Sequence, residues 1–171
     1  GIYVDGELNL ENNLTPSETI SVHTTDTMSL DNNFSITAPD IYLGSAKNIL
    51  LKSGSIETSN LVLRASGYID QNYDNNTSSL NGYALKVSDI LEVWAGGRAA
   101  DECAIDLGSK FNELKKVVLQ ATNGNIFVGS GSPDDGALSI TVANNQIVAG
   151  NILFQNYING ARNSIIVDGS L

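Results

Sequence analysis

The chain has 171 residues, and 42% of them are hydrophobic, which is enough apolar material for one sizeable core. Its formal net charge is −10, which argues against nucleic acid and anionic lipid as partners, because both normally require a basic surface. Cys103 is the only cysteine, so an intrachain disulfide is excluded, and no apolar run is long enough for a membrane-spanning helix.

A short unit recurs along the chain about every 20 to 21 residues. It reads apolar, variable, apolar and then a corner of small residues, as in 41–45, 105–109 and 126–130. A fixed period of this length indicates stacked repeats, and alternating apolar residues indicate strands. We therefore predict an all-β fold, a single-stranded parallel β-helix with three short strands per coil and roughly eight coils.

The predicted strands fall into three series, which we name the first, second and third faces. Side chains one coil apart should lie above each other, so Ile105 is expected next to Ile126. The first face comprises Ile2/Val4, Ile20/Val22, Ile41/Leu43, Leu61/Leu63, Leu85/Val87, Ile105/Leu107, Ile126/Val128, Ile147 and Ile165/Val167. The second comprises Leu8/Leu10, Met28/Leu30, Ile49/Leu51, Ile69, Leu91/Val93, a blurred member near Phe111 and Leu114, and Ile152/Phe154. The third comprises Leu14, Phe34/Ile36, Ile56, Leu80, Val117/Leu119, Leu138/Ile140 and Ile158.

Two polar stretches interrupt the repeat, and we predict that both are loops inserted into one domain of residues 1–171. They cover residues 70–79 and 130–136, and the second contains Pro133, which cannot donate to a backbone ladder. A third stretch, 109–116, is compatible either with one helical turn or with an irregular strand. We expect the open ends of the stack to rest on further chain or on a partner copy.

Two single residues could carry chemistry, and both are expected to be structural. His23 is the only histidine, so a histidine-based triad or a multi-histidine metal site would depend on it alone, and we expect an exposed residue at a corner. Cys103 is flanked by acidic Asp101 and Glu102, which should raise the pKa of its thiol, with Arg98 as the only nearby cation. We therefore expect the thiol of Cys103 to be unreactive.

The carboxylate doublets do not form an evident catalytic pair. Adjacent residues of a strand point to opposite faces, so neither Asp101/Glu102 nor Asp134/Asp135 is ready for glycoside cleavage. Stacking of the first face would place Lys86 beside Asp106 as a ladder ion pair, in one outward column with Tyr42, Val62 and Phe127. No cofactor is predicted, although Asp134 and Asp135 could ligate calcium in their loop.

Exposed aromatic side chains are the best indication of a binding surface. Tyr42, Tyr73, Trp94 and Phe127 occupy positions that could face outward, where aromatic rings stack on sugar rings or bury against a partner chain. Trp94 could equally fold over its corner as packing. These four residues are the predicted binding residues.

The runs 41–56 and 61–69 resemble the degenerate repeats of filamentous-haemagglutinin-type exoproteins and autotransporter passengers. In that family, stretches of the type apolar-x-apolar-x-Ala-x-Gly-x-Ile recur every 20 or so residues and build a right-handed parallel β-helix. The resemblance implies a bacterial secreted or cell-surface protein that acts as an adhesin or a stalk. Similar repeats occur in phage tail spikes, often as trimers.

The expected function is therefore that of a non-catalytic, elongated, adhesin-like segment of an exported surface protein. Its partner would be a protein or a glycan on a cell surface, or another copy bound end to end or laterally, and neither nucleic acid nor membrane insertion is expected. One alternative is a trimeric fibre component of a phage virion or a secretion machine. A second alternative is a polysaccharide lyase or glycoside hydrolase on the same fold.

Overall fold

The structure is a computed structural model that describes residues 2–4, 6, 8–10, 18–31, 33–71, 83–99, 102–109, 111–130, 137–142, 152–156 and 164–168. Within these ranges the chain forms strands and no helix. The strands are β1 (Ile2–Val4), β2 (Leu8–Leu10), β3 (Ile20–Thr24), β4 (Met28–Leu30), β5 (Phe34–Thr37), β6 (Asp40–Ser45), β7 (Ile49–Leu51), β8 (Gly54–Ala65), β9 (Ile69–Gln71), β10 (Tyr83–Ala95), β11 (Cys103–Leu107), β12 (Glu113–Ala121), β13 (Asn125–Ser130), β14 (Ala137–Val142), β15 (Ile152–Asn156) and β16 (Ser164–Asp168).

The described strands pair in two parallel sheets. Sheet A has the order β1-β3-β6-β8-β10-β12-β14-β16, with β5 also paired to β8, and sheet B has the order β2-β4-β7-β9-β11-β13-β15. Except for β5 and β6, which both lie against β8, consecutive strands alternate between the two sheets. Parallel neighbours cannot be joined by a hairpin, so the chain visits the other sheet before it returns to pair. The predicted all-β class and the parallel pairing are confirmed.

Equivalent residues of successive strands lie in register. In sheet A, Ile41 is paired with Ile20 on one side and Leu61 on the other. In sheet B, Ile105 is paired with Ile126, as the repeat predicts. The inward residues of neighbouring strands therefore form apolar columns, and the outward residues form columns on the opposite face of each sheet.

The predicted assignment of strands to faces is wrong for the described residues from Leu85 to Val128, whereas Ile152 and Phe154 pair in the sheet of the second face, as predicted. Leu85 is paired with Ile56, a member of the third face, and Leu91 takes the position next to Leu61. Ile105 is paired with Ile69, which belongs to the second face. The assignment failed because of the stretch between β9 and β10. Counting the repeat period across an insertion does not tell which face the next strand belongs to.

The expected ion pair between Lys86 and Asp106 is also wrong for this reason. Lys86 lies in sheet A between Glu57 and Glu113, whereas Asp106 lies in sheet B between Asp70 and Phe127. Lys86 instead forms an ion pair with Glu113, with Nζ and Oε1 3.8 Å apart. The predicted outward column of Tyr42, Val62, Lys86, Asp106 and Phe127 is thus divided between the two sheets.

The third and first faces share continuous strands in β8 and β10. Burial in β8 changes phase between Thr58 and Leu61, so the strand turns its other side inward without leaving the sheet. In β10 an irregularity of register between Val87 and Ile90 does the same. β5 and β6 are separate strands because Pro39 lies between them and has no backbone N–H, although its carbonyl accepts a bond from the Ser59 N–H.

The stretch 109–116, for which a helical turn and a strand were both compatible with the sequence, contains a tight turn followed by β12. The backbone N–H of Asn112 donates to the carbonyl of Ser109 at 3.2 Å, and β12 begins at Glu113. Of the two predicted loops, Asp70 and Gln71 belong to β9 and Ser130 ends β13, while 72–79 and 131–136 lie outside the described residues.

Buried aliphatic side chains from both sheets form one hydrophobic cluster. Two polar side chains are enclosed beside it: the amides of Gln71, from sheet B, and of Asn112, directly before β12 of sheet A, are both buried. Asn112 Nδ2 lies 2.9 Å from Gln71 Oε1 and 2.9 Å from the carbonyl oxygen of Leu107. Burial of these amides is tolerable because each finds partners.

Candidate functional site

The structure brings together two of the predicted binding residues, Tyr42 and Trp94, on the outer face of sheet A. Tyr42 lies in β6 and Trp94 in β10, and β8 runs between them. Arg64 of β8 is in register with Trp94 on one side and with Gly44 on the other. Both aromatic side chains are half-buried and Arg64 is exposed, so Trp94 lies on the surface of the sheet rather than inside a corner.

Four planar side chains are stacked here, and we name His23, Tyr42, Arg64 and Trp94 the planar stack. Arg64 Cζ lies 3.7 Å from the centroid of the Trp94 ring and 5.8 Å from that of Tyr42. The rings of His23 and Tyr42 have centroids 4.8 Å apart and are tilted by 32°. The Arg64 contact with Trp94 is a close cation–π interaction, which keeps the guanidinium over the ring.

Gly44 makes room for this stack. A Cβ atom at this position would lie 2.7 Å from His23 Nδ1, closer than real contacts allow, and 3.2 Å from Tyr42 Cε1, which is tighter than most real contacts. The imidazole therefore lies over a position that has no side chain. His23 itself is a residue of β3, not of a corner as predicted, and it is exposed as predicted.

The planar stack borders a cleft of about 380 Å³ whose rim carries hydroxyl groups. The hydroxyls of Thr24 and Ser45 both donate to the carbonyl of Asp26, at 2.7 and 2.6 Å. Asp26 is in turn bound to Lys47 at 2.8 Å, and this hydrogen bond is the main reason why the pKa of its carboxyl is lowered. The corner beside the cleft is thus cross-linked by polar contacts.

The charge of Arg64 is not matched by a carboxylate of the described residues. Within the described residues, the ion pairs below 4.0 Å involve Lys47, Lys52, Lys86 and Arg98, and none involves Arg64. Arg98 offers a comparison, because its guanidinium lies 3.2 Å from the centroid of Tyr68 but is bound to Asp70 at 3.4 Å. One stacked guanidinium is therefore paired with a carboxylate, and the other belongs to an exposed side chain that has no such pair among the described residues.

Of the other predicted site residues, Phe127 is described, and it does not join this surface. Phe127 lies in β13 of sheet B, half-buried and in register with Asp106. Tyr73 and the predicted calcium ligands Asp134 and Asp135 lie outside the described residues. Across the described residues, no group of three or more His, Cys, Asp or Glu side chains is arranged to hold a metal ion.

The expected rise in the pKa of Cys103 is confirmed, but its causes differ from those predicted. Partial burial of the thiol is the largest cause, followed by the charge of Asp106, while Arg98 acts in the opposite direction. Asp70 also raises the pKa of this thiol. The protonated form is favoured, and this form is a poor nucleophile.

A second cleft, also of about 380 Å³, lies on the outer face of sheet A, beside the first halves of β8 and β10 and the start of β12. Its walls include Glu57, Lys86 and Glu113, which occupy consecutive register positions on β8, β10 and β12. We name it the carboxylate groove. Reasoning from the sequence missed it because the face assignment failed at Leu85.

Comparison of the chain with protein-family models, with curated proteins and with solved structures found no match. None of the described segments is a helix that could cross a membrane. The functional reading therefore depends on the residues themselves.

Sequence reasoning found Tyr42 and Trp94 but missed Arg64, Gly44 and His23 as their neighbours. The signal for Arg64 and Gly44 was present in the 20-residue repeat, which places Gly44 beside Arg64. No signal placed Trp94 beside Arg64, because the two are 30 residues apart and the insertion between β9 and β10 separates them.

Proposed function

We propose that the chain is a non-catalytic, elongated, adhesin-like segment of an exported bacterial surface protein, built as a parallel β-helix with three strands per coil. The observation that carries this proposal is the in-register parallel pairing of Ile20, Ile41 and Leu61 in one sheet and of Met28, Ile49 and Ile69 in the other. Strands that alternate between two sheets at a 20-residue spacing are what successive coils would produce. Roughly eight coils at about 4.8 Å would extend for about 40 Å.

The function of such a rod is geometric. Each interior strand of the two sheets is held by neighbours on both sides, so side chains on the outer faces keep fixed spacings along the axis. The planar stack would be one presented surface, and the predicted loops, shortened to 72–79 and 131–136 by the ends of β9 and β13, would be others. The partner would be a protein or a glycan on a cell surface, or another copy of the chain.

The repeats at 41–56 and 61–69, which resemble those of filamentous-haemagglutinin-type exoproteins, support a secreted or cell-surface location. The acidic composition, with a net charge of −10, supports a partner that is neither nucleic acid nor a membrane surface.

Small-angle scattering, solution mass and cell binding test this proposal together. We expect an elongated monomer of 18.1 kDa that binds to a panel of intact animal and bacterial cells at micromolar concentration. A stable trimer would favour the fibre component instead. A compact particle that binds to none of these cells would contradict the adhesin-like function.

The carboxylate groove favours one second candidate function, the cleavage of a polysaccharide. Glu57 and Glu113 lie on strands separated by one other strand, so their backbones are about 10 Å apart, near the spacing of carboxyl pairs in inverting glycosidases. Lys86 stands between them and is paired with Glu113. Depolymerisation of an acidic or neutral glycan by the purified chain, abolished by Glu57→Gln, would replace the adhesin-like function by this one.

A further inference from the structure

The planar stack contains a guanidinium that is oriented by an aromatic ring and is not neutralised by any carboxylate in the described part of the chain. Trp94 covers one face of the Arg64 guanidinium at 3.7 Å, and Tyr42 lies 5.8 Å away. Stacking occupies the faces of a guanidinium and leaves the N–H groups in its plane available for bidentate hydrogen bonds. No carboxylate of the described residues lies within ion-pair distance of it.

We propose that the cleft beside the planar stack binds a terminal, carboxylate-bearing sugar of a glycan, with the carboxylate on Arg64 and the sugar ring against the aromatic rings. This inference rests on the proposed function and names the chemical class of its partner. The cleft volume of about 380 Å³ accommodates one sugar ring with its water. The aromatic side chains of Tyr42 and Trp94, which line the cleft, offer apolar contact to such a ring.

A sugar fits this surface better than a peptide does. Peptides that bind to sheets commonly add a strand at a free edge, where they satisfy backbone groups. β6, β8 and β10 are interior strands of sheet A, and each is paired on both sides. Their backbone groups are therefore engaged, and recognition at this place has to proceed through side chains.

The charge of the whole chain restricts the ligand further. With a net charge of −10, the protein repels densely charged polyanions at long range, while a single carboxylate meets mainly the local field of Arg64. An isolated acidic sugar at the end of a neutral glycan satisfies both conditions. A sulfated polysaccharide would not.

Trp94 is the only tryptophan in the chain, so its fluorescence reports on this site directly. We would titrate the chain at pH 7 and 150 mM salt with methyl glucuronide, and in parallel with methyl glucoside, sodium acetate, N-acetyl-triglycine and heparin. We expect saturable binding of the glucuronide, and at least about tenfold weaker binding of each other probe, because each lacks either the carboxylate, the ring or the isolated charge.

Two arginine variants form a matched pair. Arg64→Gln should weaken glucuronide binding at least about tenfold, whereas Arg98→Gln, which removes a stacked guanidinium that is already paired with Asp70, should leave it within about twofold. Arg64→Lys, which keeps the charge but loses the planar fork, should also weaken binding, so the test does not depend on one variant folding. Thermal unfolding checks that each variant is native.

Each other result overturns the assignment. If methyl glucoside binds as tightly as the glucuronide, the carboxylate is not recognised. If acetate binds as tightly, the sugar ring is not recognised. Tighter binding of the peptide or of heparin would show that the ligand belongs to another chemical class. If Arg64→Gln leaves the affinity for the glucuronide unchanged, the glucuronide binds at another site. If the glucuronide does not bind while the chain still binds to cells, this inference alone fails; if both fail, the adhesin-like function fails with it.

Discussion

Buried titratable groups illustrate what single residues contribute. Cys103 and Tyr83 both have a raised pKa, and burial is the largest cause in each case. Tyr83 is fully buried in the core at the start of β10, and among the described residues its hydroxyl reaches only the carbonyl of Ser55, at 3.4 Å. A phenolate at this place would be largely desolvated, so the folded chain favours the neutral phenol.

The alkaline stability of the chain should therefore depend on Tyr83. In the unfolded chain tyrosine ionises near its ordinary pKa of 10.0, while in the folded chain its pKa is higher. The contribution of this group is present below pH 10 and is lost as the pH rises above that value. We expect the fall in the free energy of unfolding between pH 8 and pH 11, measured by urea titration, to be smaller in Tyr83→Phe than in the parent.

Tyr42→Phe, at a half-buried tyrosine of the surface, is the control and should reproduce the fall of the parent. An equal fall in Tyr83→Phe and the parent would show that Tyr83 ionises without resistance from the fold.

Individual strands depend on glycine at two positions for different reasons. Gly54 begins β8 with φ at 129°, a conformation that other residues rarely adopt, and a Cβ there would collide with the backbone carbonyl of Phe34. Gly44 has ordinary φ, and a Cβ there would meet only the flexible side chains of His23 and Tyr42. The first glycine is needed by the backbone of the strand, and the second by the surface stack.

Alanine at the two positions should separate these roles. We expect Gly54→Ala to lower the free energy of unfolding by about 2–4 kcal/mol, through strain and collision with a backbone that cannot give way. Gly44→Ala should cost about 1 kcal/mol or less, because the imidazole of His23 can turn aside. Urea unfolding measures both, and similar costs for the two variants would contradict this reading of Gly54.

At the scale of the whole molecule, the two sheets are joined by the hydrophobic cluster and by the buried amides of Gln71 and Asn112. Asn112 Oδ1 accepts from the Leu85 N–H of sheet A at 3.0 Å, and its Nδ2 donates to the carbonyl of Leu107 in sheet B at 2.9 Å. This single side chain therefore holds strands of both sheets. Removing it would leave several buried polar groups unsatisfied.

Asn112→Ala should accordingly destabilise the molecule as one unit. We expect a loss of about 2–4 kcal/mol, with the fluorescence of Trp94 and the far-ultraviolet circular dichroism shifting together in urea. Asn123→Ala, which removes an exposed hydrogen bond to the carbonyl of Arg98, should cost about 0.5 kcal/mol or less. If the two probes separated into distinct transitions, the single domain predicted from the sequence would be wrong.

Prediction from the sequence succeeded where the pattern is local. The alternation around Ile41 and Leu43 predicted their burial, and the 20-residue spacing predicted the register of Ile41 with Leu61. It failed beyond β9, where Leu85 was placed on the wrong face. Whether a segment forms a strand depends on its own alternation of apolar residues. Where that strand lies after an insertion depends on the path of the inserted chain, and the repeat period contains no information on that path.

The sequence by itself determined that the chain is built of strands, which apolar side chains these strands bury from Ile20 to Leu63, and that repeats pair in parallel. These properties depend on alternation and spacing over one or two repeats. Only the tertiary structure decided that Arg64 lies on Trp94, that Gln71 meets Asn112, and that Lys86 stands between Glu57 and Glu113. Each of the three groupings spans the insertion after β9, and packing, which chooses the register of β10, is the physical cause that brings their members together.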